Sequence, residues 1–444
     1  MTVSEPGAIR APSPPVVLDD AFEAPIARLR EGAPVTLVLG GAGTGKTSFL
    51  HALRKAGGTK QAFLAPTGVA ALQLGGQTIH SFFGLPPRLL NPEDVKPRAQ
   101  RRTVLKKLER LVIDEISMVR ADVLDAVDRC LRIARADAAP FGGVQIVLVG
   151  DFLQLPPVVP TAEREILGRM GYRGPFAFDA QVLDEAEVTR LPFTRVYRQT
   201  DVAFAATLAD LRSGRRVAEA VAQINEAAYG PHRTGRVPVV LAPTNARVDA
   251  YNRQGLEQLT DFPRTFGGVI QGEFDLANDR LPVPEELTLK VGARVMAVRN
   301  DPEKQWVNGS VGTVIGLAAD RAFVRLDAGS VVEIERVSWD RIRYDWDEDA
   351  GKVEAKVIGS YSQLPLVPAW AVTVHKAQGL TLDDVRIDLD SGAFAAGQAY
   401  VALSRARSLE GLSLARPLRP DDIRIDRRVA AFTAEFERAA LADI

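Results

Sequence analysis

The sequence predicts an α/β protein with two domains and a small β-barrel inserted into the second. In the first 150 residues, four short apolar runs (36–40, 61–66, 111–115 and 145–150) alternate with helical patterns, which is typical of βαβ units and a mainly parallel sheet. The same alternation begins again at 237–259. Between about 300 and 362, short strands separated by Gly, Asp-Ala-Gly and Asn-Gly turns indicate the barrel.

Length and composition are those of an ordinary globular protein. The chain has 444 residues, which is long for one core, so we expect two or three domains. Its 55 Lys and Arg nearly cancel its 56 Asp and Glu. The net charge therefore does not favour any class of partner, and affinity for nucleic acid would need a local basic surface.

The single cysteine and the N-terminal residues help to predict the cellular compartment of the protein. A single cysteine, Cys130, excludes an intramolecular disulfide and a Cys-rich metal site, and its place in a predicted helix indicates a core side chain. Residues 1–15 lack the pattern of a signal peptide, so we expect 1–16 to be a disordered tail. No apolar run is long enough to cross a bilayer. We expect a cytoplasmic protein without a membrane partner, associated with the nucleoid if it is bacterial.

The segment GGAGTGKT, residues 40–47, lies between a predicted strand and a predicted helix. It fits the pattern G-x-x-x-x-G-K-[ST] in the context that this motif requires. The glycines let backbone N–H groups turn around phosphates, Lys46 reaches the β- and γ-phosphates, and the Thr47 hydroxyl ligates Mg²⁺. The motif predicts a nucleotide site and does not by itself give the reaction.

The segment RLVIDEIS, residues 110–117, ends an apolar strand with two adjacent carboxylates. Burying Asp114 and Glu115 without a partner is costly, so we expect a cation or a reaction beside them. Asp114 suits Mg²⁺, and Glu115 suits a general base that polarises an attacking water. A base acting on water favours hydrolysis, which predicts an ATPase rather than a small-molecule kinase.

The segment FGGVQIVLVGDFLQLPPV, residues 141–158, begins as a buried strand and ends in a polar loop. Asp151 and Gln154 follow the strand, and Pro156 and Pro157 stop any helix. Ligands bind at the carboxyl ends of parallel strands. This loop is therefore a candidate binding element.

Two arginines in the second half of the chain have motif-like settings. They are Arg198 in FTRVYRQTD (193–201) and Arg405 in AYVALSRAR (399–407). Arginines from outside the phosphate-loop domain can neutralise charge on the transferring phosphate, which would couple hydrolysis to closure of a cleft. Taken singly, each is more often part of a surface salt bridge, and that alternative stays open.

Four further segments place polar groups where strands end or helices begin. They are APTGVAA (65–71), TIHSFF (78–83), APTNARV (242–248) and VHKAQGLT (374–381). Thr67, Ser81, Thr244 and Asn245 are N-cap residue types, and helix N-termini with hydroxyls bind backbone phosphates. Because APT recurs after a strand in both halves, we interpret it as two equivalent phosphate grips on two moving domains. Plain N-caps are the alternative.

Aromatic and basic residues nearby each support two interpretations. His80, Phe82 and Phe152 have ring side chains that could stack on bases in a single-strand groove, or they could be core residues. The segment from Arg88 to Arg110 has eight basic and three acidic residues, a net charge of +5. By itself this charge indicates a solvated helix face.

Together these segments resemble, in order, the helicase motifs of the PIF (petite integration frequency) DNA helicases, which are superfamily-one motors related to RecD. The resemblance extends from about residue 34 to 415, and residues 117–143 resemble the signature segment of the PIF branch. It implies two RecA-like motor domains, at 17–193 and at 194–299 with 363–444. It also implies a wedge insertion at 84–110 and an SH3-like insertion at 300–362.

The family implies ATP-dependent 5′-to-3′ translocation on single-stranded DNA, with unwinding of duplexes and often of G-quadruplexes and RNA–DNA hybrids. We expect Mg²⁺ as the second cofactor and a monomeric protein. Gln154 would contact the γ-phosphate or the attacking water, and Arg198 and Arg405 would be arginine fingers. The loop that carries Gln154 would then couple nucleotide state to the grip on DNA.

Further positions match the family's motifs residue by residue. The resemblance assigns catalysis to Lys46, Glu115, Gln154, Arg198 and Arg405, and the metal to Thr47 and Asp114. It assigns nucleotide binding to Gly41, Ala42, Gly43, Thr44, Gly45, Lys46, Thr47, Ser48, Gln154, Arg198, Gly379 and Arg405. It assigns DNA binding to Pro66, Thr67, Gly68, His80, Ser81, Phe82, Phe152, Pro243, Thr244, Asn245, Asn308, Thr373, His375 and Lys376.

One feature departs from the family, whose members usually carry a glutamine upstream of the phosphate loop that contacts adenine. This chain has no Gln before Gln61, so selection of adenine is in doubt or uses the backbone. Two alternatives to a helicase stay open. One is a translocase of the same fold that does not separate DNA duplexes. The other is a nucleic-acid clamp switched by nucleotide, against which Glu115 argues because a switch needs no base.

Overall fold

The computed structural model describes residues 19–56, 60–86, 88–91, 95–197, 201–273, 281–303, 305–347, 352–390, 392–393 and 395–442. The expected tail at 1–16 and Arg198 lie outside these ranges. The described chain forms two parallel sheets with helices and a set of antiparallel strands. The predicted fold class is therefore confirmed.

The first domain is built on a parallel sheet of six strands. The strands are β1 (Val35–Gly40), β2 (Gln61–Ala65), β3 (Gln77–Thr78), β4 (Arg110–Ile113), β5 (Gln145–Gly150) and β6 (Val188–Phe193), in the order β3-β2-β4-β5-β1-β6. The helices are α1 (Asp19–Arg30), α2 (Lys46–Ala56), α3 (Gly68–Leu74), α4 (Ile79–Phe83), α5 (Ala99–Lys107), α6 (Ala121–Arg135), α7 (Thr161–Arg169) and α8 (Val182–Glu185). The four strands predicted for this region are confirmed as β1, β2, β4 and β5.

Three central strands of this sheet position the candidate site. β4, β5 and β1 are neighbours, and every residue of β1 is buried. Their apolar sequences suit strands that are covered on both faces. Because the three strands are parallel, the loops 41–45, 114–115 and 151–157 leave the sheet at the same edge.

The second domain has a smaller parallel sheet. Its strands are β7 (Val239–Ala242), β18 (Ala371–Thr373), β19 (Val385–Ile387) and β20 (Leu412–Leu414), in the order β18-β7-β19-β20. The helices that follow β6 in this part of the chain are α9 (Val202–Ser213), α10 (Val217–Ala228), α11 (Asn245–Glu257), α12 (Gln398–Leu403) and α13 (Arg427–Ala442). The chain leaves this sheet after α11 and returns to it at β18.

Between these elements lies an antiparallel β-module. Its strands are β8 (Arg264–Gly267), β9 (Val269–Gly272), β10 (Glu286–Leu289), β11 (Arg294–Ala297), β12 (Val311–Leu317), β13 (Arg321–Leu326), β14 (Val331–Glu335), β15 (Val337–Asp347), β16 (Lys352–Gln363) and β17 (Leu366–Pro368). They form sheets of two, five and three strands in the orders β10-β8, β14-β13-β12-β11-β17 and β15-β16-β9. The module extends beyond the expected 300–362 on both sides, because β11 and β17 complete the five-stranded sheet over a shared apolar core.

The C-terminal helix α13 crosses from the second domain onto the first. Val429 and Phe436 pack into the core of the first domain. The Phe432 ring stacks on Phe178 with centroids 4.3 Å apart and contacts the edge of Phe152 at 5.4 Å. The loop after β5, which carries Phe152, is therefore held against α13.

The basic segment 84–110 includes α5 and is anchored on α6. The Leu90 N–H donates to Asp122 Oδ2 at 2.8 Å, and the Arg120 guanidinium donates to the Arg88 carbonyl at 2.7 Å. Helix α5 packs against α6 and lies next to β15 of the β-module. The described part of the expected wedge is therefore hydrogen-bonded to the start of α6, and its helix α5 faces the β-module.

Cys130 is completely buried in α6, which confirms its prediction as a core residue. Burial raises the pKa of its thiol to about 12. None of the helices in the described ranges has the length and apolar character needed to span a membrane.

Candidate functional site

The loop between β1 and α2 has the conformation of a phosphate cradle. Gly43 and Gly45 have φ values of +75° and +87°, which side chains rarely adopt. A Cβ at Gly40 would lie 2.4 Å from the Phe193 carbonyl oxygen and 2.6 Å from Thr44 Oγ1. The sequence therefore needs glycine at these points. Helix α2 begins at Lys46, so its first N–H groups open toward this loop.

Lys46 folds back over the loop. Its ammonium donates to the carbonyl oxygens of Gly40 and Gly41, both at 2.7 Å. Burial lowers the pKa of Lys46, and the nearby carboxylates of Asp151 and Glu115 oppose that shift. The ammonium is thus positioned at the loop and surrounded by acids.

Asp114 and Glu115 follow β4 directly and lie at the same sheet edge. Glu115 has a φ of +51°, uncommon for a residue with a side chain, and its N–H donates to Asp114 Oδ1 at 2.8 Å. Burial raises the pKa of Asp114 to about 7, with a further contribution from the charge of Glu115. Burial also raises the pKa of Glu115, while Lys46 and Arg405 oppose the shift.

The groups at this edge fit a divalent cation. The charge of Glu115 raises the cost of ionising the adjacent, partly buried Asp114, and a cation would offset that cost. Asp114 and the hydroxyl of the exposed residue Thr47 offer oxygen ligands, which Mg²⁺ prefers.

The loop after β5 contributes the third part of the site. Asp151 is buried and forms a salt bridge with Arg212 of α9, with Nη2 to Oδ1 at 3.0 Å. The Gln154 side-chain amide donates to Asp151 Oδ2 at 3.3 Å. Gln154 is therefore fixed beside the acids rather than free in a loop, and Arg212 joins this loop to the second domain.

Two further residues of the second domain bond to the first. Gln378 Nε2 donates to Glu115 Oε2 at 2.9 Å and to Gln154 Oε1 at 3.3 Å. The Ala42 N–H of the phosphate loop donates to Tyr400 Oη at 3.0 Å. Together with Arg212, these contacts make the site an interdomain cleft.

Sequence reasoning did not single out Arg212, Gln378 or Tyr400. Gln378 and Tyr400 lie inside VHKAQGLT and AYVALSRAR, so their motifs were signals that could have found them. Arg212 lies in an ordinary helical pattern and had no such signal. Its role depends on the packing of α9 beside the loop after β5.

Arg405 is buried beside the site and is held by its own domain. Its Nε donates to the Val401 carbonyl at 2.9 Å, Nη1 to the Leu380 carbonyl at 3.2 Å and Nη2 to Ser404 Oγ at 2.8 Å. Its charge also opposes the raised pKa of Glu115. The alternative of a surface salt bridge is therefore wrong for Arg405. The other nucleotide-binding candidate of the second domain, Gly379, is exposed on the turn after β18 and has a φ of +81°.

The two APT segments occupy equivalent positions in the two domains. Each follows a strand, β2 or β7, and precedes a helix, α3 or α11. Thr67 Oγ1 accepts the Ala70 N–H at 3.3 Å, and Thr244 Oγ1 accepts the Arg247 N–H at 3.4 Å. Both threonine side chains therefore cap the start of the helix that follows them, which agrees with the plain N-cap interpretation.

The other DNA-binding candidates differ in exposure. Thr244, Asn245 and Lys376 are exposed. The half-buried candidates are Pro66, Thr67, Gly68, His80, Ser81, Asn308 and His375. The buried candidates are Phe82, Phe152, Pro243 and Thr373. Burial and the charge of Arg120 lower the pKa of His80, so its imidazole is neutral near pH 7.

Burial corrects the expectation that two aromatic rings stack on bases. Phe82 is 1% exposed and packs edge-on against Phe83, with centroids 4.9 Å apart. Phe152 is 4% exposed and packs between Phe178 and Phe432. Both rings serve the core of the first domain in this structure because apolar neighbours enclose them.

Comparison with known proteins identifies the family. The model of the PIF1-like helicase family matches residues 17–220. An ATP-dependent DNA helicase Pif1 of Bdellovibrio bacteriovorus is 34% identical over 417 residues, covering 92% of this chain and 90% of the relative. The structure of Bacteroides sp Pif1 in complex with ADP-AlF4 superposes with a TM-score of 0.87 at 34% identity, covering 96% of this chain and 98% of that chain.

A second Bacteroides structure is also similar to this chain. Bacteroides Pif1 bound to ssDNA gives a TM-score of 0.68 at 35% identity, covering 97% of this chain and 98% of that chain. The motifs, the cleft geometry and these similarities agree, and the chain belongs to the PIF1-like helicase family of ATP-hydrolysing enzymes.

Proposed function

We propose that this protein is an ATP-dependent DNA helicase that moves 5′ to 3′ along single-stranded DNA and separates duplexes. We include G-quadruplexes and RNA–DNA hybrids among its substrates and propose that the monomer is the active form. The relatives described above are named ATP-dependent DNA helicases, which supports the reaction. The proposed direction follows from the resemblance of the motifs to those of PIF helicases.

One observation carries the proposal: both domains bond to the hydrolytic groups of a single cleft. The first domain supplies the phosphate loop and Glu115, while Gln378 and Tyr400 reach them from the second domain. Opening or closing the cleft must break or form these contacts. Nucleotide chemistry and domain motion are thereby coupled, as a motor requires.

We assign the nucleotide-handling roles from this geometry. The N–H groups of residues 41–48 and the ammonium of Lys46 bind the triphosphate, and Glu115 accepts the proton of the attacking water. Bound Mg²⁺, held by Thr47 and Asp114, would neutralise phosphate charge. Arg405 and Arg198 are proposed to stabilise charge on the transferring phosphate, although only Arg405 lies within the described residues.

The DNA path is proposed to run across the two equivalent helix N-termini. The Thr67 and Thr244 turns would each bind a backbone phosphate, and exposed Lys376 would add a charge contact. Because these groups lie on different domains, cleft motion changes the distance between the two grips. Phosphate contacts of this kind do not depend on base sequence, which suits a translocating enzyme.

Duplexes with a single-stranded tail test unwinding and direction together. We expect ATP-dependent unwinding of a 5′-tailed duplex and little unwinding of a matched 3′-tailed or blunt duplex, as measured by release of a fluorescent strand. Preference for the 3′ tail would refute the proposed direction. DNA-stimulated ATP hydrolysis without strand release from any substrate would identify a translocase instead.

Replacing Gln154 with alanine should separate nucleotide binding from turnover. We expect the affinity for a fluorescent ATP analogue to change little, while DNA-stimulated hydrolysis and unwinding fall roughly 10- to 100-fold through loss of a positioned polar contact. Gln181→Ala, at an exposed position of the same domain, is the control. Unwinding at the full rate by Gln154→Ala would contradict the coupling role of this loop.

A further inference from the structure

Gln378 joins two residues of the first domain across the cleft. Its side-chain nitrogen lies 2.9 Å from Glu115 Oε2 and 3.3 Å from Gln154 Oε1. A primary amide has two N–H donors, one for each of these acceptors. Gln378 therefore ties the carboxylate of the proposed base to the side chain that is proposed to contact the γ-phosphate or the attacking water.

The turn that carries Gln378 is fixed to the sheet of the second domain. The Ala377 N–H donates to the Thr373 carbonyl at 2.9 Å, and the Gln378 N–H donates to the His375 carbonyl at 3.2 Å. Ala377 is buried in the core of the second domain. The Gln378 backbone must therefore move with this turn and its sheet.

The same turn carries two of the DNA-binding candidates. Lys376 is exposed, and His375 is half-buried. The next residue toward the sheet, Val374, donates its N–H to the Ala242 carbonyl at 3.1 Å, where the APT segment of the second domain begins. A DNA backbone bound by Lys376 and by that segment would therefore contact the same turn and sheet that carry Gln378, and could change their position.

Glu115 needs support from outside its own strand. Its φ of +51° is uncommon for a residue with a side chain, and desolvation raises the pKa of its half-buried carboxyl group. The N–H that the Gln378 amide donates to this carboxylate offsets part of its desolvation and restricts its rotation.

We propose that Gln378 is a positioning residue for ATP hydrolysis, which orients Glu115 and Gln154 toward the attacking water when DNA seats the second domain. This inference rests on the proposed function, because it requires that single-stranded DNA stimulates hydrolysis in this cleft. It assigns Gln378 no direct contact with ATP or DNA. Through its hydrogen bond to Glu115, Gln378 makes the orientation of the general base depend on the position of the turn 374–379.

Gln378→Met tests the inference because methionine keeps the length and packing of the side chain but has no N–H donor. We expect the DNA-stimulated kcat to fall about 10- to 100-fold, since small misplacements of reacting groups have effects of this size. The KM for ATP and the Kd for a labelled oligonucleotide should stay within about twofold of wild type, because Gln378 is proposed to contact neither ATP nor DNA and so does not contribute to their ground-state binding. Gln254→Met, at an exposed position of α11 in the same domain, is the matched control.

A double-mutant cycle tests the bridge itself. Gln378→Met should cost less kcat in a Gln154→Ala background than in wild type, because one of its two bonds is already absent there. Additive effects, or a wild-type kcat for Gln378→Met alone, would overturn the inference, as would a raised KM with unchanged kcat. Wild-type protein whose hydrolysis DNA does not stimulate would refute the proposed function instead.

Discussion

Replacing Lys46 with alanine is expected to reduce DNA-stimulated ATP hydrolysis at least about 100-fold, the scale of losing one preorganised charge contact in a phosphoryl-transfer site. The ammonium is held at the phosphate loop by the carbonyl oxygens of Gly40 and Gly41, so it is in place before nucleotide arrives. Unwinding of a tailed duplex should be lost with hydrolysis. Steady-state phosphate release and strand release measure both effects.

Lys55→Ala is the matched control, because Lys55 is an exposed lysine in the last turn of the same helix. It should keep wild-type hydrolysis, and thermal melting should show that both variants are folded. If Lys46→Ala hydrolysed ATP at a rate within a few-fold of wild type, the proposed role of the phosphate loop in hydrolysis would be wrong.

Replacing Glu115 with glutamine should abolish turnover without abolishing binding. Removal of a general base costs roughly 10² to 10⁴ in rate, and glutamine cannot accept the proton of water. The amide can still accept a hydrogen bond from Gln378. We therefore expect nucleotide and single-stranded DNA to bind with near wild-type affinity while phosphate release falls by that factor.

The same variant should be at least as stable as wild type. Burial raises the folded-state pKa of Glu115 above its unfolded value, so keeping the carboxylate ionised at neutral pH costs stability. Glutamine removes that cost, and the melting temperature should not fall. Glu109→Gln is the control, since Glu109 is largely exposed in a salt bridge with Lys60, and such pairs contribute little. Wild-type phosphate release by Glu115→Gln would show that another group is the base.

Contiguous segments made much of the site predictable. Residues 40–47 contain their strand end, loop and helix start in one motif, and glycine is the residue type that this backbone accepts. Asp114 and Glu115 follow a strand whose apolar run was clear. Since neighbouring parallel strands end at the same edge, strand ends that are far apart in sequence could be brought together by reasoning alone.

Burial of single side chains was less predictable. Phe82 and Phe152 lie in motif segments and have the residue type that stacks on bases, yet both are buried in the core, where each packs against at least one other aromatic ring. Part of that enclosure comes from Phe432, 280 positions later in the chain than Phe152. An aromatic residue suits a core and a nucleic-acid groove equally well, so only its neighbours decide between them.

The sequence by itself determined the fold class, the phosphate loop and the adjacent acids, because each depends on residues that are close in the chain. Only the tertiary structure decided that Arg212, Gln378 and Tyr400 bond across the cleft and that α13 packs on the first domain. These contacts depend on the relative position of two domains. That position is set by the packing of surfaces from distant parts of the chain, which no local pattern of residues contains.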